Sequence, residues 1–136
     1  GRLFPIALEG ALKMKEISYV HAEGYPAGEL KHGPIAMVES NMTVVVLAPR
    51  DELYEKTMSN LQEVKARGGR IVAVGDHDDF SLQKLSDHFI GMRFAHDWSD
   101  SILATIPMQL LAYYTAVLKG TDVDKPRNLA KSVTVE

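Results

Sequence analysis

The sequence predicts an α/β protein of the doubly wound type, in which helices cover both faces of a parallel β-sheet. Two short apolar runs, Thr43–Ala48 and Arg70–Gly75, are rich in β-branched residues and lack the polar alternation of half-exposed strands. Between them lies a segment with helical spacing of apolar residues, Asp51–Arg67, which is followed by two glycines. The order strand, helix, strand predicts a right-handed βαβ unit.

The remaining elements follow from local patterns. Ala7–Tyr19 consists of good helix formers and predicts a helix near the start of the chain, with no strand before it. A third strand is expected at His88–Arg93, and further helices around Ser81–Leu85 and over Ile102–Lys119, where Gly120 ends the last one. Because parallel α/β domains usually begin with a strand, we expect the chain to lack the first strands of its domain. Ligands of such folds bind outside the carboxyl ends of the strands.

Composition narrows the classes of function. The chain has 136 residues, a net charge of -3 and no block of like charge, so no nucleic-acid partner is expected. It has no cysteine, which rules out a disulfide, a thiolate nucleophile and a Cys-based zinc site. The histidines show no ligand spacing, and neither a metal nor another cofactor is expected. The apolar run Ile106–Leu118 is shorter than the roughly 20 residues that span a bilayer, so no membrane partner is expected.

A charged stripe, defined as Glu9, Lys13 and Glu16, is expected on the first helix. At about 100° per residue the three side chains fall within roughly 60° of one another. One interpretation is a solvated Glu–Lys pair, worth only a few tenths of a kcal/mol. The other is a carboxylate and an ammonium that line a cleft, where a partly desolvated carboxylate transfers protons near neutral pH. The stripe is bordered by apolar or small residues on both sides: Leu8, Leu12 and Tyr19 on one, Ile6, Gly10 and Ile17 on the other.

The segment GYPAGELKHGPIAMV is predicted to be a loop that contains His32. Pro34 fits the first turn of a short helix through Ile35–Val38. The positive end of that helix would disfavour an imidazolium at His32, and a neutral imidazole suits proton transfer. The competing interpretation is an ordinary surface or capping histidine.

Several stretches carry a family resemblance. The motif GELKHGP together with the terminal PRNLAKSVTVE resembles the isomerase end of the glutamine–fructose-6-phosphate amidotransferases, also called glucosamine-6-phosphate synthases. ALEGALKMKEISY, VKARGG and IPMQLLAYYTAVLKGTDVDKPRNLAK are similar to the same family, so the resemblance covers nearly the whole chain. It implies a three-layer α/β/α fold of the sugar-isomerase (SIS) type. Residues 1–120 would form the second SIS subdomain, and residues 121–136 an irregular catalytic tail.

The resemblance also implies roles for individual residues. Lys131 would form a Schiff base with the carbonyl of the sugar, and Glu16 would move a proton between C1 and C2. His32 would assist ring opening and reach the site from the other subunit of a homodimer. The remaining implied contacts with the substrate involve Glu9, Lys13 and the backbone of Ala130.

The activity implied by the resemblance is the conversion of fructose 6-phosphate and glutamine-derived ammonia to glucosamine 6-phosphate in the cytoplasm. In the family, a glutaminase half and a first SIS half with a Ser/Thr-rich phosphate loop precede the matching segment. Neither is present in these 136 residues. We therefore expect the isolated chain to be inactive or nearly so.

Two other functions remain compatible with the residues. A sugar-phosphate-binding SIS regulatory module would need a phosphate pocket but would have no use for Glu16 or a tail lysine. A structural or dimerisation segment would use its apolar helices, above all Ile102–Leu118, as an interface. Trapping of a sugar on Lys131 would separate the enzyme from both.

Overall fold

A computed structural model describes residues 1–129 of the chain, with the exception of the Asp97 side chain. Within this range four α-helices and three β-strands alternate. The helices are Phe4–Ser18 (α1), Tyr54–Ala66 (α2), Phe80–Leu85 (α3) and Asp97–Leu118 (α4), and the strands are Thr43–Ala48 (β1), Arg70–Asp76 (β2) and His88–Met92 (β3).

The strands form a parallel sheet in the order β1-β2-β3. Val45 pairs with Val72, and Val74 pairs with Ile90, so β2 lies in the centre with a neighbour on each side. Ile71, Ala73 and Val74 of this strand are fully buried. Burial on both faces is the physical reason for the continuous apolar run of β2, and it confirms the predicted parallel α/β class.

Helices cover both faces of the sheet. On one face α2 and α3 pack against the sheet through Leu61, Val64 and Leu82. On the other face α1 packs along α4, where Gly10 permits close approach because a Cβ at this position would lie 3.1 Å from the Met108 side chain. The buried residues of α4 include the small or flexible side chains of Ala104, Met108, Ala112 and Ala116.

The predicted βαβ unit and the third strand are confirmed, and the differences concern helix ends. Helix α1 begins at Phe4, with a proline in its first turn. Helix α2 begins three residues later than predicted, because the Asp51 carboxylate accepts a hydrogen bond from the Leu53 N–H (2.9 Å) in the preceding turn. Helix α3 begins after Asp79, whose carboxylate accepts a hydrogen bond from the Leu82 N–H (3.0 Å).

Helix α4 is longer than predicted, since it begins at Asp97 rather than Ile102. Its segment Trp98–Leu118 has a mean hydropathy of 1.4 and is long and apolar enough to cross a membrane by length and composition alone. The expectation that the apolar run is too short was therefore wrong about its length. The same test is passed by core helices, and α4 packs along α1.

The segment around His32 is more regular than the predicted loop. It forms two 3-10 helices, Ala27–His32 and Pro34–Met37, joined by Gly33 with a φ of 146°. Asn60 of α2 is buried and donates a hydrogen bond to the Ala27 carbonyl (2.9 Å), which fixes the first 3-10 helix to the body of the fold. The helix expected after Pro34 is thus a single 3-10 turn.

Candidate functional site

The charged stripe on α1 is present as predicted. Lys13 Nζ lies 2.5 Å from Glu16 Oε2 and 3.5 Å from Glu9 Oε1. These spacings of three and four residues bring the groups together on one helical face. The side chain of Glu16 is 27% exposed and that of Lys13 31%, so both are half-buried rather than fully solvated.

The neighbours of the stripe decide its electrostatics. The hydrogen bond to Glu16 raises the pKa of the Lys13 ammonium, and the charges of both glutamates add to this, while partial burial opposes it. Leu8 and Leu12, on one side of the stripe, remain 45% and 42% exposed. Three charged groups thus lie beside exposed apolar side chains, an arrangement that suits a surface covered by a substrate or by another part of a protein.

The first residues after α4 return the chain to the end of α1. The Thr121 hydroxyl lies 2.7 Å from the Ile17 carbonyl, to which it donates a hydrogen bond. Asp122 then folds the chain back, because its carboxylate accepts hydrogen bonds from the N–H groups of Asp124 (2.9 Å) and Lys125 (3.1 Å). The start of the tail is therefore attached to the helix that carries the stripe.

Further along the tail, Arg127 meets Tyr19, the residue that ends α1. Its N–H donates a hydrogen bond to the Tyr19 hydroxyl (2.8 Å), and its guanidinium carbon lies 4.2 Å from the centre of the Tyr19 ring. Beside this contact is a cleft of about 310 Å³. Glu16 lines the cleft together with Lys15, Tyr19, Arg127, Asn128 and Leu129.

His32 lies apart from this cleft. Its side chain is 71% exposed, and its Nδ1 lies 2.9 Å from Glu29 Oε2. The helix N-terminus that the sequence predicted beside it is a four-residue 3-10 turn, too short for a developed helix dipole. The structure thus brings Glu9, Lys13 and Glu16 together and leaves His32 at the surface, with Glu29 as its neighbour.

A larger depression of about 640 Å³ lies at the carboxyl ends of the strands, where the sequence predicted that a ligand site would face. Arg50, Asp76 and His77, at or just after the ends of β1 and β2, line it. Its charges are largely engaged with one another. The Arg50 guanidinium pairs with the Asp78 carboxylate (3.0 Å), and the Arg50 main-chain N–H donates a hydrogen bond to the Asp76 carboxylate (3.0 Å). The Arg2 guanidinium pairs with the Asp100 carboxylate (2.7 Å). Arg2 and Arg50 are thus each paired with an aspartate of the same lining.

Two predicted site residues, Ala130 and Lys131, lie outside the described residues. The sequence pattern places Tyr19 only at the border of the stripe and does not predict its contact with Arg127, which joins positions 108 apart in the chain. No local pattern signals such a contact, because it depends on how α4 returns the chain to α1.

The family model of the SIS domain matches residues 1–119. The chain belongs to the SIS domain family. The match covers both the stripe on α1 and the segment around His32, and it ends at the point where the tail begins.

Within the SIS family, the chain is similar to one group of enzymes along its whole length. It is 62% identical over 136 residues to a glutamine–fructose-6-phosphate aminotransferase (isomerizing) of Pseudomonas aeruginosa. The alignment covers 100% of this chain and 22% of the Pseudomonas aeruginosa protein, so the chain spans about a fifth of the length of that curated relative. The resemblance carried by GELKHGP and PRNLAKSVTVE is thereby confirmed.

Solved structures give the same result. The C-terminal domain of glucosamine-fructose-6-phosphate aminotransferase from Francisella tularensis is 51% identical, with a TM-score of 0.81 over 90% of this chain and 34% of that one. A glucosamine-6-phosphate deaminase from Thermotoga maritima is 29% identical, with a TM-score of 0.74 over 96% of this chain and 37% of that one. The SIS-type α/β fold predicted from the sequence is confirmed.

Proposed function

We propose that this chain is the tail-bearing part of the isomerase domain of a glutamine–fructose-6-phosphate aminotransferase. The full enzyme would convert fructose 6-phosphate and glutamine-derived ammonia to glucosamine 6-phosphate in the cytoplasm. The observation that carries the proposal is the cleft beside Glu16, which the start of the tail helps to form. Lys131 follows Leu129, a residue that lines this cleft and the last one that the structure describes, by two positions in the sequence.

In this proposal Lys131 is the nucleophile. Its neutral amine attacks the C2 carbonyl of the open-chain sugar and, with loss of water, forms an imine. Ammonia then adds to C2 and expels the Lys131 amine, which leaves a C2 imine of the substrate. This imine makes the C1 proton acidic, because the electrons of the broken C–H bond delocalise towards the nitrogen. A carboxylate is then needed to carry a proton between C1 and C2.

Glu16 is the proposed proton carrier. It projects from a rigid helix, and Lys13 holds its carboxylate at 2.5 Å, so the group is kept in one orientation at the cleft. Lys13 and Glu9 lie beside Glu16 on the same helical face and are proposed to contact the hydroxyl groups of the substrate, as is the backbone of Ala130. His32 would assist ring opening in a neighbouring subunit of a homodimer, a role supported by its 71% exposure.

Reductive trapping in the full-length enzyme tests the nucleophile. The enzyme is incubated with labelled fructose 6-phosphate and borohydride, and the labelled peptide is sequenced. We expect the label on Lys131, and the neighbouring Lys119 and Lys125 serve as internal controls. A label on either of these, or full synthase activity in Lys131→Arg, would contradict the assignment.

Proton transfer is tested separately. Replacing Glu16 by Gln removes the carboxylate but keeps the shape, and we expect kcat to fall by about 100-fold or more. Exchange of the C1 hydrogen with solvent should fall in parallel. Glu39→Gln, at an exposed position away from the cleft, is the matched control. Wild-type exchange in Glu16→Gln would exclude Glu16 as the proton carrier.

The isolated 136-residue chain is proposed to be inactive, since the family's phosphate loop and ammonia source belong to segments outside it. The purified chain should form no glucosamine 6-phosphate from fructose 6-phosphate and ammonium. Measurable product from this chain alone would show that the segment contains a complete site.

A further inference from the structure

Residue Tyr19 ends α1 in an unusual conformation. It has a φ of 55° and a ψ of 29°, the left-handed region in which helices commonly end with glycine. Among residues 1–129, the non-glycine residues with positive φ are Tyr19 and Asn128. Both line the cleft beside Glu16. Backbone strain that persists at one cleft points to a function there rather than to helix termination alone.

The conformation of Tyr19 serves a contact with the tail. The Tyr19 hydroxyl accepts a hydrogen bond from the main-chain N–H of Arg127 (2.8 Å), and the Arg127 guanidinium carbon lies 4.2 Å from the centre of the Tyr19 ring. The Tyr19 side chain thus contacts both the main chain and the side chain of Arg127. A glycine at position 19 would relieve the strain but would make neither contact.

The chain between these anchors is also constrained. The Thr121 hydroxyl donates a hydrogen bond to the Ile17 carbonyl (2.7 Å), and the Arg127 N–H donates one to Tyr19. The tail is therefore attached to the end of α1 at two points. Arg127 lies within a turn formed by residues 126–129, because the Leu129 N–H donates to the Pro126 carbonyl (3.4 Å) and Asn128 has a φ of 62°. Positive φ at the third turn residue is typical of a type II turn, for which asparagine is well suited.

We propose that Tyr19 is a positioning residue for the tail. Its contact with Arg127, together with the turn at Asn128, sets the position and direction of the chain at Leu129, in the cleft that Glu16 also lines. Tyr19 acts through Arg127 and does not itself touch substrate. The proposal deepens the proposed function, since it assigns to Tyr19 the alignment of the segment that carries Lys131.

The anchor is tested first in the 136-residue chain, with no assumption about activity. Trypsin cleaves after Arg127, whereas Lys125 is protected by the proline that follows it. Tyr19→Phe removes the acceptor oxygen and should speed cleavage after Arg127 about fivefold. Tyr19→Gly also removes the ring and should speed it roughly tenfold or more. Cleavage after Arg67, at the end of α2, reports unfolding and should not change.

Tyr19→Gly separates positioning from helix termination. If Tyr19 only ended the helix, glycine would keep or raise the melting temperature and cleavage after Arg127 would not change. If Tyr19 positions the tail, cleavage after Arg127 should become faster even though the melting temperature stays the same or rises. Equal cleavage rates after Arg127 in the wild type, Tyr19→Phe and Tyr19→Gly would overturn the proposal. So would acceleration at Arg127 that is matched by acceleration at Arg67.

The functional consequence is measured in the full-length enzyme. Tyr19→Phe and Tyr19→Gly should lower kcat and the rate of borohydride trapping at Lys131 in the same order, with KM for fructose 6-phosphate little changed. Wild-type kcat and trapping in Tyr19→Gly would overturn the positioning role. Trapping at another lysine would instead contradict the proposed function, and the proteolysis result would stand independently of it.

Discussion

At the scale of the residue, Lys13 is the centre of the candidate site. It interacts with Glu16 at 2.5 Å and with Glu9 at 3.5 Å, and it remains 31% exposed. Solvent at this position screens the charges, so the contribution of the cluster to stability stays small even though its geometry is close. The value of the cluster lies in the orientation that it gives to the Glu16 carboxylate.

Lys13→Met should reduce the free energy of unfolding by about 0.2–1 kcal/mol at neutral pH, the range of partly exposed ion pairs. The pKa of Lys13 is raised in the folded state above its ordinary value of 10.5. The stabilisation is therefore complete below that value and is lost as the pH rises through the higher folded pKa. Urea unfolding at neutral and strongly alkaline pH measures the difference, with Lys15→Met as control. A cost that persists unchanged at alkaline pH would contradict the assignment.

At the scale of the element, the connections between helices and sheet set the positions of the strand ends. Gly69 joins α2 to β2, and a Cβ at this position would lie 2.7 Å from Val38 Cγ1 and 2.8 Å from Val64 Cγ1. Both valines are buried, and their branched side chains have little rotamer freedom. The pair Gly68-Gly69, predicted as a helix stop, therefore also allows α2 to lie close to the sheet.

Gly69→Ala should destabilise the fold by about 1–3 kcal/mol, because the added methyl group overpacks a core without room to adjust. Gly28→Ala is the matched control, since a Cβ there meets no atom within 4 Å. Thermal unfolding of the two variants measures the contrast. Equal melting temperatures would mean that the junction has more freedom than its contacts indicate.

Helix α3 depends on its first residue in a different way. Asp79 is 2% exposed, and its Oδ1 accepts a hydrogen bond from the Leu82 N–H (3.0 Å) as an N-cap. Its Oδ2 makes no hydrogen bond within the described part of the chain and lies 3.8 Å from Arg50 Nε. Burial raises the pKa of the nearby Tyr54 hydroxyl, and the Asp79 carboxylate contributes to the same shift.

Asp79→Ala should lower the free energy of unfolding by about 1–2 kcal/mol, because it removes the cap. Asp79→Ser keeps a capping oxygen and should lose less. Chemical denaturation of both variants distinguishes capping from a general effect of the buried charge. If Asp79→Ser is as unstable as Asp79→Ala, the cap is not the source of the stability.

At the scale of the whole molecule, α4 presents an apolar stripe to solvent. Ile102, Ile106 and Leu110 are 64%, 47% and 47% exposed, and Tyr113 and Val117 continue the row at 44% and 50%. The spacing of three and four residues places all five on one face. An exposed apolar stripe of this length favours association of the isolated chain.

Ile106→Glu should therefore shift the 136-residue chain towards the monomer, with an effect on stability within about 0.5 kcal/mol because the side chain is half-exposed. Sedimentation over a range of concentrations measures the change. Gln62→Glu adds the same charge at an exposed position on α2, away from the stripe, and should leave association unchanged. A wild-type chain that is monomeric at every concentration would contradict the prediction.

The sequence by itself determined the local elements and the composition of the stripe. The runs Thr43–Ala48 and Arg70–Gly75 became paired parallel strands, and Glu9, Lys13 and Glu16 share one face of α1. Both results follow from periodicity, which acts between residues a few positions apart. Helix ends were less predictable, because turns such as the one at Asp51 compete with the first helical hydrogen bonds.

Only the tertiary structure decided which distant groups meet. The contact of Tyr19 with Arg127 spans 108 positions and arises because α4 packs along α1 and delivers the start of the tail to its end. The 3-10 geometry around His32 likewise depends on the anchor that Asn60 supplies from α2. Such contacts reflect the packing of whole elements, which no local pattern encodes.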